Sequence, residues 1–420
     1  MIFGQSGSDK FIIGMDLGEE SVQLSYIQSD MSSPQTLSQV VGEEDYSIPM
    51  VMCKRPGVNQ WYFGKEAVSY SVQNQVEPLT GLLSLAKENA EVTIEGQTFD
   101  SVALLALFLK RCVGMVVTLL GTDKIGGLML TGQAMDEEDA DFFSKVVEKA
   151  KIKTELVYCQ SHEESFYYYL LGQQTDLLEK TTMLLECRGS RLTVMVMRCN
   201  PFTAPRVLYC NVSGQEFPIF EDEDMEVMDQ ELAYRCSDLL RQDKPDAVYL
   251  IGEAFVEQNI QETLGVLCSQ CRVFLGNNLF SKGACIAMRE TVLLPSELGK
   301  RYVYLGENKL SANIGMQLFI QGQENYMALL DAGEGWKTAE KTVELYIKEQ
   351  DVLEFQAVSM IGREDVNETI FLEGLPAGVS RLRLEIYMET RDELVVRVSD
   401  LGFGEIRPAT QMTWEKRIRL

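Results

Sequence analysis

The chain has 420 residues, of which 45% are hydrophobic, and its 38 lysines and arginines stand against 63 aspartates and glutamates. The length and apolar content are sufficient for two or three globular domains. A net charge of -25 repels nucleic-acid phosphates and anionic membrane surfaces. No basic patch offsets this charge, so we expect no nucleic-acid partner.

The first ten residues are polar and lack the apolar core of a secretory signal, which predicts a cytoplasmic protein. The most apolar stretch, Val102 to Gly121, carries Lys110 and Arg111 at its middle. Two cations at that depth are costly in a bilayer. We therefore expect a core helix that leads into a strand, and no membrane span.

Ten cysteines and a single histidine limit the chemistry available to the chain. Cys268 and Cys271 have the spacing of half a zinc site, but a second pair or nearby histidines are missing. Cys159 and His162 lie three residues apart, yet nothing in the sequence indicates an activated thiol. Structural roles are favoured for both pairs over metal binding, redox chemistry or nucleophilic catalysis.

Two segments predict β-hairpins of similar design. From Lys10, apolar and polar residues alternate on both sides of Asp16-Leu17-Gly18, which predicts two antiparallel strands around a tight turn. From Thr181 the pattern recurs, with residues 186–190 between two apolar runs. The chain is therefore predicted to contain two comparable halves.

Helices and strands are predicted to alternate around these hairpins. Helical patterns cover residues 99–113, 136–150 and 226–241, and a buried strand, 246–251, breaks at Gly252 before a further helix over 255–264. Beyond Pro295 the pattern changes to short alternating strands with turn residues between them. The predicted fold class is α/β followed by a C-terminal β-sandwich.

The order of these segments resembles that of DnaK-type heat-shock chaperones, within the actin, hexokinase and chaperone superfamily. The matching motifs, in chain order, are residues 12–26 (first phosphate hairpin), 48–52 with 61–67, 161–172, 184–197 (second phosphate hairpin), 249–264, 277–288, and 371–402 (sandwich strands). The resemblance implies a two-lobed actin-like (ribonuclease H-like) nucleotide-binding domain over residues 1–298. It further implies a chaperone-like, peptide-binding β-sandwich over 299–420. Compared with the family, we expect a trimmed upper lobe in the second half, near residues 200–244, and no helical lid after the sandwich.

The same resemblance implies a site for ATP or ADP with Mg²⁺. Asp16 would hold the metal, and Glu163 would orient the attacking water as a second catalytic residue. The nucleotide-binding positions carried over from the family are Asp16, Gly18, Glu19, Glu20, Glu186, Gly189, Ser190, Gly252 and Glu253. Asp16 as a simple turn residue and Glu163 as a helix N-terminal acid are the structural alternatives.

Several of these positions depart from the family pattern. Glu19 and Glu20 replace small hydroxyl residues, and a carboxylate about 4 Å from a phosphate costs ~1 to 4 kcal/mol. Arg188 and Ser190 flank the only glycine of the second hairpin, and Glu253 replaces the second glycine of the adenosine turn. The lysine that supports hydrolysis in the chaperones is Val68 here.

These departures predict a divergent chaperone-like protein that binds a protein or peptide partner, with a degenerate nucleotide site and little ATPase activity. Glu19 and Glu20 could then pair across the cleft with Arg188 and Arg191 in place of a ligand. An active Mg²⁺-dependent ATPase of the same fold remains the alternative. A small-molecule kinase is a third class, disfavoured by the sandwich. The sequence does not define the oligomeric state.

Overall fold

The protein is a mixed α/β chain with several separate sheets. The computed structural model describes residues 10–40, 42–133, 135–173, 176–188, 191–216, 225–256, 260–292, 296–320, 323–348, 351–405 and 407–420. Packing divides the chain into two compact units, Met1–Arg198 with Asn211–Arg301, and Cys199–Cys210 with Tyr302–Leu420. The segment 199–210, placed in the first domain by the sequence, packs with the second unit.

The first half of the first unit starts with a β-meander and ends with alternating strands and helices. Its strands are β1 (Phe11–Leu17), β2 (Ser21–Gln28), β3 (Gln35–Thr36), β4 (Ile48–Pro49), β5 (Met52–Lys54), β6 (Trp61–Phe63), β7 (Glu91–Ile94), β8 (Gln97–Asp100), β9 (Ile125–Gly132) and β10 (Val157–Ser161). Its helices are α1 (Gly64–Asn74), α2 (Leu82–Lys87), α3 (Ser101–Leu120), α4 (Glu137–Ala150) and α5 (His162–Gly172).

The main sheet of this half has the strand order β10-β9-β1-β2-β3, with β4 beside β2. β1 and β2 are antiparallel, whereas β1, β9 and β10 run parallel. The predicted hairpin is therefore present, but its turn was placed too early. Asp16 and Leu17 lie within β1, and the chain reverses over Gly18 to Glu20, where the Gly18 amide donates to the Ser21 carbonyl at 2.9 Å.

The second half repeats this order of elements. Its strands are β11 (Thr182–Arg188), β12 (Arg191–Asn200), β13 (Arg206–Glu216), β14 (Ala247–Ile251) and β15 (Arg272–Leu275), and its helices are α6 (Met225–Asp243), α7 (Glu253–Val256), α8 (Gln261–Cys268) and α9 (Leu279–Val292). The sheet order is β15-β14-β11-β12-β13, and β11 is antiparallel to β12 and parallel to β14. Both halves therefore share one topology.

The repeat extends to individual residues of the two hairpins. Asp16 lies opposite Gln23, and Glu186 lies opposite Thr193, so each carboxylate occupies the same position before its turn. The predicted loop 186–190 begins later than expected, because Glu186, Cys187 and Arg188 belong to β11. Gly189 and Ser190 lie outside the described residues.

Most predicted helices form, with shifted ends. α3 continues to Leu120, well beyond the expected end at Val113, and α4 starts at an Asp136 capping box that satisfies its first amides. The expected helix over 255–264 is wrong. Instead, the chain forms the single-turn α7 and then α8, and residues 257–259 between them lie outside the described part.

α3 is long and apolar enough, by length and composition alone, to cross a membrane. Its buried residues include Leu105, Phe108 and Leu109, which belong to the apolar core of the first half. Lys110 and Arg111 on the same helix are exposed. This burial pattern is the one expected of an amphipathic core helix.

The last helix of each half packs on the sheet of the other half. In α5, the Phe166 ring meets Tyr249 of β14 edge-on with centroids 5.8 Å apart. α9 lies on β1, where a Cβ at Gly14 would come within 2.4 Å of the Cys285 nitrogen. At the crossing of the two helices, a Cβ at Gly283 would meet the Ser165 carbonyl at 1.9 Å. Glycines thus permit the close approach that joins the halves.

The second unit consists of two antiparallel four-stranded sheets and the parallel pair of β13 with the first strand of the unit. Its strands are β16 (Tyr302–Leu305), β17 (Ala312–Ile320), β18 (Gln323–Leu330), β19 (Glu340–Lys348), β20 (Val352–Ser359), β21 (Val366–Phe371), β22 (Val379–Thr390), β23 (Glu393–Gly402) and β24 (Thr413–Arg419). The sheet orders are β18-β17-β20-β21 and β19-β22-β23-β24. Alternate residues of both sheets, such as Ile314, Phe355 and Leu384, share one apolar cluster.

Candidate functional site

A cavity of about 330 Å³ lies between the two halves of the first unit. This volume is at the small end of the range for ligand pockets. The residues that line it are Asp16, Ser21, Gln23, Glu44, Asp45, Tyr46, Ser47, Arg188, Ile251, Gly252, Gly276, Asn277, Leu279 and Phe280. Both hairpins and the start of α9 therefore contribute, and the segment 44–47 between β3 and β4 forms one wall.

Asp16 is the most buried carboxylate of the lining, with 7% of the residue exposed. Its Oδ1 lies 2.7 Å from Nε2 of His162, the first residue of α5. Because β1, β9 and β10 are parallel, the end of β10 brings α5 to the edge of the sheet where Asp16 lies. The predicted metal ligand is therefore already held by the only histidine of the chain.

The environment of His162 favours its protonated form. Burial alone lowers the pKa of this imidazole, but the charge and hydrogen bond of Asp16, supported by Glu186, outweigh burial and raise it. Arg188 opposes this effect. The imidazole also stacks on Phe280 of α9 with ring centroids 3.8 Å apart, which fixes its orientation. His162 thus links β1 of the first half to α9 of the second.

Glu186, the counterpart of Asp16, is paired with a different cation. Its Oε1 accepts from Arg188 Nε at 2.7 Å, and its side chain is 8% exposed, whereas that of Arg188 is 50% exposed. The guanidinium extends toward the first hairpin, since a Cβ at Gly18 would lie 3.7 Å from Arg188 Nη1. Each hairpin carboxylate therefore has a cation of the protein itself as its partner.

Gly252 ends β14 in a conformation that requires glycine. Its φ is +100°, and a Cβ there would lie 2.1 Å from the Cys187 carbonyl oxygen. The backbone of β14 can therefore approach β11 closely, and Gly252 and Gly276 both line the cavity. Glu253 is the first residue of α7, next to this wall.

Three predicted residues take other places. Glu19 Oε1 accepts from the Ser84 amide of α2 at 3.2 Å. Glu20 is exposed, and its carbonyl accepts from Met50 at 2.7 Å. Glu163 is half-buried in the first turn of α5, and among the described residues it is not one of those that line the cavity.

The contacts around the two hairpins differ from the expected cross-cleft pairing of glutamates with arginines. Glu19 turns toward α2 in its own half. Arg188 pairs within β11. The Arg191 guanidinium lies against Gly214 of β13, within 3.0 Å of where a Cβ would be. These contacts of Glu19, Arg188 and Arg191 with groups of their own half stand in place of the predicted pairing across the cleft.

No group of three histidine, cysteine, aspartate or glutamate side chains suited to a metal ion occurs within the described ranges. The Cys159 thiol is no candidate nucleophile, because burial, reinforced by Asp139, raises its pKa to about 12. Burial likewise raises the pKa of Cys271, which adjoins Cys268. If a metal ion bound in the cavity, Asp16 would be its main ligand from this chain, and few other side chains could support it.

Sequence reasoning missed two contributors to the site. The sequence pattern suggests only Cys159 as a partner of His162. However, His162 directly follows β10, and β10 runs parallel to β9 beside β1, so the strand order could have placed His162 beside Asp16. The segment 44–47 has no regular pattern of apolar residues, so its position over the cleft had no sequence signal. Its Glu44 accepts from Asn277 Nδ2 of the other half at 3.4 Å.

Comparison with known families gives matches over almost the whole chain. Residues 33–307 match the C-terminal model of a family of unknown function, DUF5716. The chain belongs to this family. Residues 309–420 match a separate domain of unknown function, DUF8552. The DUF5716 match covers the cavity residues from Glu44 to Phe280, whereas the first hairpin precedes it. A search of curated proteins finds no match.

Proposed function

We propose that this member of the DUF5716 family is a divergent relative of DnaK-type chaperones that binds a protein or peptide partner in the cytoplasm. Its first unit would be an actin-like nucleotide-binding fold whose nucleotide site is degenerate. The second unit would correspond to the chaperones' substrate-binding sandwich. ATP hydrolysis would be weak or absent.

The internal repeat supports the fold assignment. In each half, a hairpin occupies the middle of a five-strand order. A glycine lies at the end of the parallel strand beside each hairpin: Gly132 ends β9, and Gly252 directly follows β14. The chaperone resemblance implies one phosphate hairpin in each half, facing a common cleft. The cavity lies beside both hairpins, at the carboxyl ends of the parallel strands, where ligands bind in open α/β sheets.

One observation carries the proposal of a degenerate site: the protein neutralises both hairpin carboxylates itself. His162 binds Asp16, and Arg188 binds Glu186. A hydrated Mg²⁺ would have to compete with His162 for Asp16, and separating a buried pair leaves an uncompensated charge. His162 and Arg188 would thus supply the positive charge that a bound metal ion supplies in an active site of this kind.

The remaining lining disfavours a triphosphate. Asp16, Glu44 and Asp45 contribute three carboxylates, and Arg188 contributes the only guanidinium among the described lining residues. Like charges about 4 Å apart repel by ~1 to 4 kcal/mol each, depending on the effective dielectric constant. Without a strongly bound metal, the cavity therefore offers poor compensation for phosphate charge.

The second unit supports a role in partner binding. Its two sheets share a complete apolar core, yet Phe319 and Phe371 remain 77% and 64% exposed. Large exposed aromatic side chains are enriched at protein interfaces. A sheet-built unit with such residues is a reasonable carrier of the binding function.

Isothermal titration calorimetry of the full chain with Mg·ATP and Mg·ADP tests the proposal. We expect no heat of binding at millimolar nucleotide. Micromolar binding that disappears in Asp16→Asn would contradict the proposal and favour the alternative of an active ATPase. For the second unit, a peptide-array screen of the full chain tests chaperone-type recognition. Bound peptides would support it, whereas an empty result would favour a fixed protein partner.

A further inference from the structure

The strand β19 forms a long and regular edge of the second unit. Its nine residues, Glu340–Lys348, pair with β22 without interruption, whereas strands are commonly about five or six residues long. On its other side, no described residue forms a hydrogen bond with its backbone. An unpaired strand edge of this kind is a template for pairing with another strand.

The other described edges of the second unit are less open. β24 and β21 are tied to each other, because Lys416 Nζ donates to the Thr369 carbonyl at 2.8 Å and forms an ion pair with Glu368 at 2.6 Å. β18 joins β17 through a ladder whose register shifts between Ile314 and Gly315. β19 contains neither a proline nor a register shift, so it is the edge best suited to accept a strand.

The orientation of the β19 backbone follows from one hydrogen bond at its start. The Met388 amide of β22 donates to the carbonyl of Ala339, the residue before β19, at 3.3 Å. Hydrogen-bonded pairs alternate along an antiparallel ladder, so the odd-numbered residues of β19 bond to β22. The even-numbered residues direct their amides and carbonyls to the open edge; they are Glu340, Thr342, Glu344, Tyr346 and Lys348.

The sequence of β19 is complementary to itself in an antiparallel pairing centred on Glu344. In that register, Glu340 at each end lies opposite Lys348 of the second strand. Both side chains are exposed, and neither has an ion-pair partner among the described residues. Opposite charges that face each other across a strand pair stabilise it.

The remaining positions of this register also match. Thr342 lies opposite Tyr346, which is 65% exposed in the single chain. On the other face, Val343 lies opposite Leu345, and both are only partly buried at the margin of the apolar core. Aromatic and β-branched pairs across strands are favourable. A second strand would therefore cover apolar surface that one chain leaves accessible.

The centre of the register brings Glu344 opposite its own copy, and the protein supplies cations there. Glu344 Oε1 lies 3.2 Å from Arg383 Nη2, and Oε2 lies 3.8 Å from Arg381 Nη1. Two guanidinium groups from each copy would thus surround the two carboxylates. The like charges at the centre are compensated by residues already in place.

We propose that two copies of this chain associate through β19, antiparallel about a twofold axis at Glu344, so that the two four-stranded sheets form one continuous sheet. Such an isologous contact adds about ten hydrogen bonds between the even-numbered residues. The inference goes beyond the proposed function and does not depend on it. A dimer can form whether or not the chain binds peptides or nucleotides.

Sedimentation velocity of the full chain tests the association. We expect a species of twice the chain mass of 47.4 kDa at about 100 µM protein, where a dissociation constant of about 10 µM leaves mostly dimer. A salt concentration of about 0.15 M limits the repulsion between two acidic chains, since it screens charges beyond about 8 Å. A monomer under these conditions would overturn the proposal.

Charge exchange tests the register. Glu340→Lys and Lys348→Glu each convert both end pairs into like charges, and each is expected to weaken the dimer about tenfold. The double variant exchanges the charges and should restore the affinity. The two single variants shift the net charge of the chain in opposite directions. Opposite effects of the single variants, or no recovery in the double variant, would overturn the proposal.

A proline tests the role of the backbone. Thr342→Pro removes an amide that points to the open edge and leaves the hydrogen bonds to β22 in place. We expect a monomer with an unchanged far-ultraviolet circular dichroism spectrum. Glu354→Lys, at an exposed residue of β20, is the control and should not alter the dimer. A folded Thr342→Pro variant that still dimerises would overturn the proposal, and the charge exchange decides if that variant does not fold.

Discussion

The two hairpins of the first unit have the same register and the same acidic position, but they obtain their countercharges differently. Asp16 receives His162 from a helix 146 residues away in sequence, inside a buried stack with Phe280. Glu186 receives Arg188 from two residues along its own strand, and that guanidinium is half-exposed. His162 of the first pair also contacts the second half through its stack on Phe280, whereas the second pair is local.

This difference indicates that the two pairs make unequal contributions to stability. Separating a pair in which both groups are buried leaves an uncompensated charge, whereas a pair whose cation is half-exposed is partly screened by water. Gly132 at the end of β9 and Gly252 directly after β14 also differ in their surroundings. The nearest neighbour of a Cβ at Gly132 is the flexible Met135 side chain, whereas a Cβ at Gly252 would meet the backbone of Cys187.

The largest effect is expected from Gly252→Ala. A Cβ would meet the Cys187 carbonyl oxygen at 2.1 Å in a backbone with φ of +100°, so the strands would have to separate. We expect a loss of about 4 kcal/mol in the free energy of unfolding, measured by urea denaturation. Gly132→Ala is the matched control, since its nearest contact is Met135 Cε at 2.8 Å, a mobile atom. Comparable losses in both variants would contradict the distinction between the halves.

His162→Ala should rank next. It leaves Asp16 buried without its partner and removes the stack on Phe280. We expect a loss of about 3 kcal/mol in chemical denaturation. His162→Gln, which can still donate to Asp16, should recover part of that loss. A variant as stable as the wild type would show that neither the pair with Asp16 nor the stack on Phe280 stabilises the first unit.

Asp400, in the second unit, is a buried carboxylate with several hydrogen-bond donors, and it serves as a comparison for the two hairpin carboxylates. Burial acts to raise its pKa, but amides of Gly402 and Thr410, the Thr410 hydroxyl and Arg407 lower it overall. Its contribution to stability is therefore present above the unfolded pKa and is lost as the pH falls through the folded pKa. Asp400→Asn should cost about 2 kcal/mol at pH 7.

The pH dependence distinguishes this role from simple packing. The difference in unfolding free energy between wild type and Asp400→Asn should be constant from pH 7 to about pH 5 and should shrink as the pH is lowered from about 4 toward about 2. A difference that stays constant over that range would show that the charge of Asp400 is not what stabilises the loop containing Arg407.

The smallest effect is expected from Arg188→Ala. Because half of the Arg188 side chain is exposed, its pair with Glu186 is screened, and we expect a loss of about 1 kcal/mol. Thermal denaturation beside His162→Ala gives the comparison directly. A larger loss for Arg188→Ala than for His162→Ala would reverse the order that the burial of the two pairs predicts.

Sequence periodicity was sufficient to predict both hairpins, the helices α3, α4 and α6, and the change to short strands in the second unit. It placed the start of the two turns two and three residues early, since alternation does not show where a strand ends. The expected helix over 255–264 failed because its apolar spacing fits either one helix or two short ones.

Parts of the site depend on contacts between distant segments. Asp16 could be named from its hairpin, but its partner His162 depends on the order of parallel strands. The segment 44–47 lies between two-residue strands and has no period of its own, so its place in the cavity follows from tertiary packing. Glu19 and Glu163 were predicted to act in the cleft. Glu19 instead accepts a hydrogen bond from the Ser84 amide, and this contact depends on the position of α2.

The most direct test of the account is the melting temperature of the full chain with and without 5 mM Mg·ATP. A ligand at about 100 times its dissociation constant stabilises a protein by about 2.7 kcal/mol. Because His162 and Arg188 already neutralise the cleft carboxylates, we predict no change in melting temperature. A rise of several degrees that is abolished in Asp16→Asn would contradict the account.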